Sequence, residues 1–190
     1  KGDVFWDIGA NVGIYSLFAG KTNGVQVLAF EPAPETFAAL CGNIVLNGMS
    51  GQISAYNVCF SDREELTDIY MKSFEAGGDS HRYGKAAGND TYLRQPVIAM
   101  TIDGFITGYQ PRFPTQMKID VDGPEESVLL GAVKTLNDPR LKGVMVEFDL
   151  TEKSRSSRME KLITECGLVK TGEGSTANSQ THVNYFFTRL

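Results

Sequence analysis

The chain has 190 residues, enough for one domain with a real core and short for two. It is 42% hydrophobic and 22% charged, as globular proteins are, and no apolar run reaches the length of a membrane span. A formal net charge of −5 argues against nucleic acid as the main partner, because binding a phosphate backbone takes a basic surface. In chain order, Val4 to Ile8 is a short apolar run that ends at Gly9, the pattern of a buried parallel strand. A helix from about Asn11 to Thr22, with Val12, Tyr15 and Ala19 on one face, and a strand from Val25 to Phe30 follow. Pro34 and Glu35 open the next helix, Phe37, Leu40, Cys41 and Ile44 give it an apolar stripe, and Asn47-Gly48 ends it. Ile53, Ala55, Tyr56, Val58 and Phe60 read as a third strand.

Thr67 to Lys72 and Pro96 to Ile102 read as a hairpin-like pair of strands. Between them, Ser73 to Arg94 is polar and glycine-rich, too long for a plain connection, and is a candidate substrate loop. Met117 to Val121 is a core strand, and Pro124 starts a helix with Leu129, Ala132, Val133 and Leu136 on its face. Val144 to Phe148 is a strand, and Met159, Leu162, Ile163 and Cys166 mark a last helix before Gly167. Leu168 to Lys170 and Asn184 to Thr188 are two closing strands. This alternation predicts a single α/β domain over residues 1–190, with a mostly parallel sheet and helices on both faces. Cys41, Cys59 and Cys166, an odd number in apolar segments, read as reduced core thiols. With no signal peptide in view, that points to a cytoplasmic setting. The chain begins at Lys1 and runs straight into a strand, so the natural protein is expected to extend upstream.

The strongest local signal is the turn Asp7-Ile8-Gly9-Ala10-Asn11-Val12-Gly13 between a strand and a helix, where a ligand can approach the backbone. A dinucleotide fingerprint needs glycine where Asn11 stands, and Asp7 would set a carboxylate beside two phosphates. S-adenosylmethionine (SAM) reverses the sign, since its ammonium and sulfonium groups are cationic. Asp7, Gly9, Ala10, Asn11 and Gly13 are therefore candidate SAM contacts. Glu31, 22 residues after Gly9, ends the second strand where a carboxylate can accept both ribose hydroxyls. Asp62 is placed to accept from the adenine amino group, although an Asx turn explains it almost as well.

Several stretches together resemble the FkbM-type methyltransferases. They are Gly2 to Gly13 (GDVFWDIGANVG), Phe30 to Phe37 (FEPAPETF), Asn43 to Asn47 (NIVLN), Thr101 to Asp103 (TID), Lys118 to Glu125 (KIDVDGPE) and Val146 to Phe148 (VEF). Asp122 stands where that family usually has Glu, and Pro124 where a small or aromatic residue is usual. The resemblance implies a Rossmann-like class I methyltransferase fold, seven strands with the last antiparallel, and methyl transfer, usually to a hydroxyl. Gly9, Asn11, Gly13 and Glu31 match the family's cofactor positions. Sugars, antibiotic intermediates and lipids all occur as acceptors in that family.

Lys118 to Glu125 lies at the carboxyl end of the central strand, across the switch point from Gly9. Alternation sends Lys118, Asp120 and Asp122 to one side and Ile119 and Val121 to the other. Asp120 is a candidate for the methionine end of SAM or for the acceptor. Glu125 reads equally well as a helix-dipole partner, and Glu147 can close an acidic rim. Carboxylates in this number raise a metal-dependent alternative, in which a divalent ion polarises the hydroxyl, but no His or Asn completes a ligand set and no metal residue is assigned. Methyl transfer needs orientation, a dry pocket and a base for the hydroxyl proton. Candidate catalytic groups are His81, in the long loop, Asp120 and Glu147; His182 and Trp6 read as structural. The expected activity is O-methylation of a small-molecule or glycan-like acceptor. An NAD-linked oxidoreductase and a non-catalytic SAM-binding module are the rivals.

Overall fold

The computed structural model describes residues 2–71, 76–77, 82–83, 93–175 and 181–190. In chain order the elements are β1 (Val4–Ile8), α1 (Ile14–Gly20), β2 (Gln26–Phe30), α2 (Pro34–Leu46), β3 (Ile53–Tyr56), β4 (Cys59–Phe60), β5 (Glu65–Met71), β6 (Arg82–Tyr83) and β7 (Leu93–Met100). There follow α3 (Ile102–Tyr109), β8 (Gln116–Ile119), α4 (Glu125–Leu130), α5 (Val133–Asn137), β9 (Gly143–Asp149), α6 (Lys153–Glu165), β10 (Val169–Ser175) and β11 (His182–Thr188). Seven strands form the main sheet in the order β10-β11-β9-β8-β1-β2-β3, all parallel from β9 to β3, with β11 antiparallel to β9 and β10 antiparallel to β11. A smaller sheet, β4-β7-β5-β6, grows from the connection after β3.

Alternate residues of the central strands supply two apolar layers, as the two-residue period of a strand requires. Trp6, Ile8, Leu28, Phe30, Met117, Ile119, Val144, Val146 and Phe148 enter one layer, against Phe105 of α3, Val128 and Leu129 of α4, and Ile163 of α6. Trp6 packs on Phe30 and edge-on to Phe105, and its indole N–H donates to the Arg112 carbonyl at 3.0 Å, which makes it a core residue as expected. The other layer joins Val27, Ala29 and Ile53 to Leu40 and Ile44 of α2. Asp7 and Lys118 are directly paired across β1 and β8 and so face this second layer together.

Five expectations need correcting. Helix α1 starts at Ile14, not Asn11, because Asn11 (φ 51°) and Gly13 (φ 95°) are left-handed and keep the turn out of the helix. Its buried residue is Ser16, whereas Tyr15 is exposed. The single strand expected from Ile53 to Phe60 breaks in two, with β4 leaving the main sheet to pair with β7. Ile102 begins a helix instead of ending a strand: the Thr101 hydroxyl accepts from the Gly104 amide at 2.8 Å, an N-cap that extended-run counting overlooked. The helix after Pro124 divides at Gly131, which lies so close to the Ser61 carbonyl that a Cβ there would come within 2.0 Å of its oxygen.

Candidate cofactor and catalytic site

β1 and β8 are neighbours in the sheet, but the chain leaves their carboxyl ends in opposite directions, toward β2 on one side and β9 on the other. That reversal opens a crevice above the strand ends, and the charged residues of the chain gather there. On the β1 side, the Gly9 and Ala10 amides both donate to the Phe30 carbonyl at 3.0 Å. The Asn11 amide donates to Glu31 Oε2 at 2.9 Å, and the Ala33 amide donates to Glu31 Oε1 at 2.9 Å. Asn11 tolerates its left-handed backbone because its own side-chain oxygen accepts from the Val12 amide at 2.7 Å. Asn43 then anchors the turn from α2 by donating to the Val12 carbonyl at 2.8 Å. Glu31, 4% exposed, is thus the acceptor around which the turn is folded, and burial pushes its carboxyl up to about 7.

Gly9 (φ 74°) is needed by the fold itself. A Cβ there would lie 1.8 Å from the Asp120 carbonyl oxygen, so turn and β8 exit meet backbone to backbone. A Cβ on Gly13 would reach within 2.6 Å of Leu40, which sets the spacing of α1 and α2.

Beneath the turn, Asp7 is fully buried, accepts from the Ser16 hydroxyl at 2.6 Å, and faces the Lys118 ammonium at 3.4 Å. Burial raises its affinity for a proton, and Lys118 and Ser16 oppose that. Lys118 also reaches Asp120 at 3.2 Å and donates to the Gly9 carbonyl at 3.2 Å. Its position inside the apolar run Met117-Lys118-Ile119 was a usable signal: a charge in a buried parallel strand needs partners.

β8 ends at Ile119, so Asp122 is not part of a strand face; it is exposed and left-handed (φ 54°) in the following turn. That turn is held by Glu125, whose Oε1 accepts from the Val121 amide at 3.3 Å and the Gly123 amide at 2.9 Å, while Oε2 pairs with Arg155 of α6. Glu125 is therefore a buried bracket, a role neither proposed reading gave it. The carboxylates of Asp120, Asp122 and Glu147 bring one oxygen each to within 4.8 Å of one another. Burial, then Asp120, Glu125 and Asp122, pushes Glu147 up to about 8.

Asp62 lies at the end of β4, exposed, accepting from the Ser61 hydroxyl at 3.1 Å, with Arg63 at 3.9 Å. His81 lies outside the described residues, as does most of the Ser73–Arg94 loop. What is described of that loop touches the turn: the Gly77 amide donates to the Thr36 hydroxyl at 3.4 Å, and a Cβ on Gly77 would stand 3.2 Å from Val12. This candidate substrate loop thus meets the cofactor turn at Val12. His182 meets the Thr181 hydroxyl at 3.0 Å, beside Asp149.

Sheet order, reversed final strands and a glycine turn over an acidic strand end define a Rossmann-like class I methyltransferase fold. Superposition agrees, with TM-score 0.66 at 15% identity to the methyltransferase FkbM of Methylobacillus flagellatus KT, covering 98% of this chain and 43% of that one. The fibrillarin of Aeropyrum pernix, solved with bound S-adenosyl-L-methionine, gives 0.58 at 12% identity, covering 99% and 67%. The chain belongs to the methyltransferase FkbM domain family, whose sequence profile matches residues 7–169. Among characterised relatives, it is 51% identical over 53 residues to the 31-O-demethyl-FK506 methyltransferase FkbM of Streptomyces tacrolimicus, 27% of this chain and 20% of that protein. It is 28% identical over 174 residues to the hexuronic acid methyltransferase AglP of Haloferax volcanii, 87% of this chain and 63% of that protein. The chain thus spans less than two thirds of either relative. Among the described residues no helix is long and apolar enough to cross a membrane, and all three cysteines are unpaired.

Proposed function

We propose that this chain is a SAM-dependent O-methyltransferase acting on a hydroxyl of a small-molecule or glycan acceptor. The observation that carries the reading is the sign of the charge around the glycine turn. Asp7, Glu31 and Asp120 lie around it, and Lys118, the one buried cation among the described residues, is outnumbered by the two carboxylates it touches. Such a donor set suits a ligand with cationic and hydroxyl groups and repels the pyrophosphate of a dinucleotide. Asp120 would face the methionine end with Asp7 buried behind it through Lys118, and Glu31 the ribose, whose hydroxyls would donate to lone pairs left over by the two amides. When bound, SAM supplies a methyl carbon activated by a sulfonium leaving group.

The protein then has to orient the acceptor, exclude water and take up the hydroxyl proton. Glu147 is our candidate for the proton, since Asp120 is held by Lys118 while Glu147 stands against three like charges and carries the raised affinity of a base matched to mild alkali. The names of the two relatives, one a methyltransferase of 31-O-demethyl-FK506 and one of a hexuronic acid, support an oxygen acceptor. The test is calorimetry with SAM and NADH, followed by assay of S-adenosylhomocysteine formation over a panel of hexuronic acid glycans and hydroxylated macrolides. SAM binding with turnover is expected. NADH binding without SAM binding would overturn the reading, and SAM binding without turnover on any acceptor would favour a non-catalytic module.

A further inference from the structure

The crevice contains a side chain to which neither the family resemblance nor the proposed chemistry gives a role toward the cofactor. Lys118 is 3% exposed on its side chain, and its ammonium touches four groups from four places: Asp7 on β1, the Gly9 carbonyl in the turn, Asp120 beyond β8, and the ring face of Tyr15 on α1, 5.0 Å from its centroid. A lysine needed only to tie β1 to β8 would be redundant there. The two strands already share a continuous parallel register from Phe5–Gln116 to Ile8–Ile119, and a buried ion pair adds little net stability beyond an apolar pair of the same size. What Lys118 adds is directional. It reaches from its paired position opposite Asp7 toward the strand ends, where backbone and carboxylate are no longer held by the sheet.

Two consequences follow from one ammonium among two carboxylates. The Gly9 carbonyl is pulled inward, leaving the turn's surface to the ligand. The cluster of Asp7, Lys118 and Asp120 sets two carboxylates around one ammonium, with Asp120 the member on the open side, its side chain 27% exposed against 0% for Asp7. We propose that Lys118 is the positioning residue for the methionine end of the cofactor: it holds the Gly9 carbonyl inward and sets the Asp120 carboxylate that receives the charged end, and leaves the ribose end, organised by Glu31, untouched. This inference rests on the SAM reading above.

The experiment compares two ligands that share the adenosine end. SAM carries the charged aminobutyrate and sulfonium; 5′-methylthioadenosine carries neither. Affinities are measured by calorimetry, the weaker ligand by competition, on the wild type, Lys118→Met and Lys118→Gln, with thermal unfolding of each. Lys118→Met is expected to lose about tenfold or more in SAM affinity and under about threefold for 5′-methylthioadenosine. Lys118→Gln, whose amide still donates to the Gly9 carbonyl, falls between. Should the Met variant not fold, the Gln variant is judged by the same asymmetry. Equal losses for both ligands would make Lys118 a structural residue and overturn the inference alone, as would unchanged SAM affinity. A wild type that binds neither ligand would overturn the cofactor reading and this inference with it.

Discussion

The turn beneath Glu31 and the rim around Glu147 both hold carboxylates at strand ends, yet they do so under opposite conditions. Glu31 is nearly inaccessible, but two amides point at it from Asn11 and Ala33. Glu147 is half-buried, with Asp120, Asp122 and Glu125 as its charged neighbours and Lys118 only a lesser, opposing influence. Despite its greater exposure, Glu147 is pushed higher, to about 8 against about 7 for Glu31. Exposure alone therefore does not rank these groups; the presence of donors does. A carboxylate supplied with amides is held lower than burial alone would put it, and keeps lone pairs for ligand hydroxyls. One that faces other carboxylates is prepared to hold and release a proton.

The largest effect should come from the residue the two regions share. Gly9→Ala forces a Cβ against the Asp120 carbonyl at a left-handed φ, with no flexible side chain to give way. It should cost more than about 3 kcal/mol and unfold or badly weaken the chain. Denaturant unfolding checks this; an Ala variant of native stability that merely loses SAM would show that the close approach is ligand-made.

Glu31→Ala should be next. Loss of two hydroxyl bonds to a charged acceptor predicts about 2–4 kcal/mol in SAM affinity, read by calorimetry. The orphaned Asn11 and Ala33 amides should lower thermal stability as well. Unchanged SAM affinity in a folded variant would remove Glu31 from the ligand and leave it as the turn's internal acceptor.

Glu147→Gln sharpens the comparison from the other side. Turnover should fall about a hundredfold while SAM affinity stays within about threefold, and the rise of rate with pH toward about 8 should disappear, because the base works only when ionised. The same shifts have a stability sign. Both groups bind protons more tightly folded than unfolded, so the stability they contribute is complete below about pH 4.5 and is lost as pH rises through about 7 for Glu31 and about 8 for Glu147. Melting temperature of the ligand-free protein should therefore decline across that window, and Glu147→Gln should flatten its upper part. A decline that the substitution leaves intact would assign it to other groups.

Much of this was legible in the sequence, and the reason is that local signals act locally. The apolar run Val4–Ile8, the strand Val144–Phe148, the Pro34 start and the Asn47-Gly48 stop depend on neighbours a few residues away, and they gave the sheet, the layers and the turn. Asp7, Gly9, Asn11, Gly13 and Glu31 could be singled out for the same reason, and the structure brings them together. What only the tertiary structure decided is which charges meet. Lys118 finds Asp7 across 111 positions of chain, Arg155 finds Glu125 across 30, and Gly77 settles on Val12 from a loop that looked independent. Periodicity says that a lysine between Met117 and Ile119 is buried. Only the pairing of β1 with β8 says that it is buried between two carboxylates and a carbonyl, because electrostatic energy depends on distances through space that no spacing along the chain encodes.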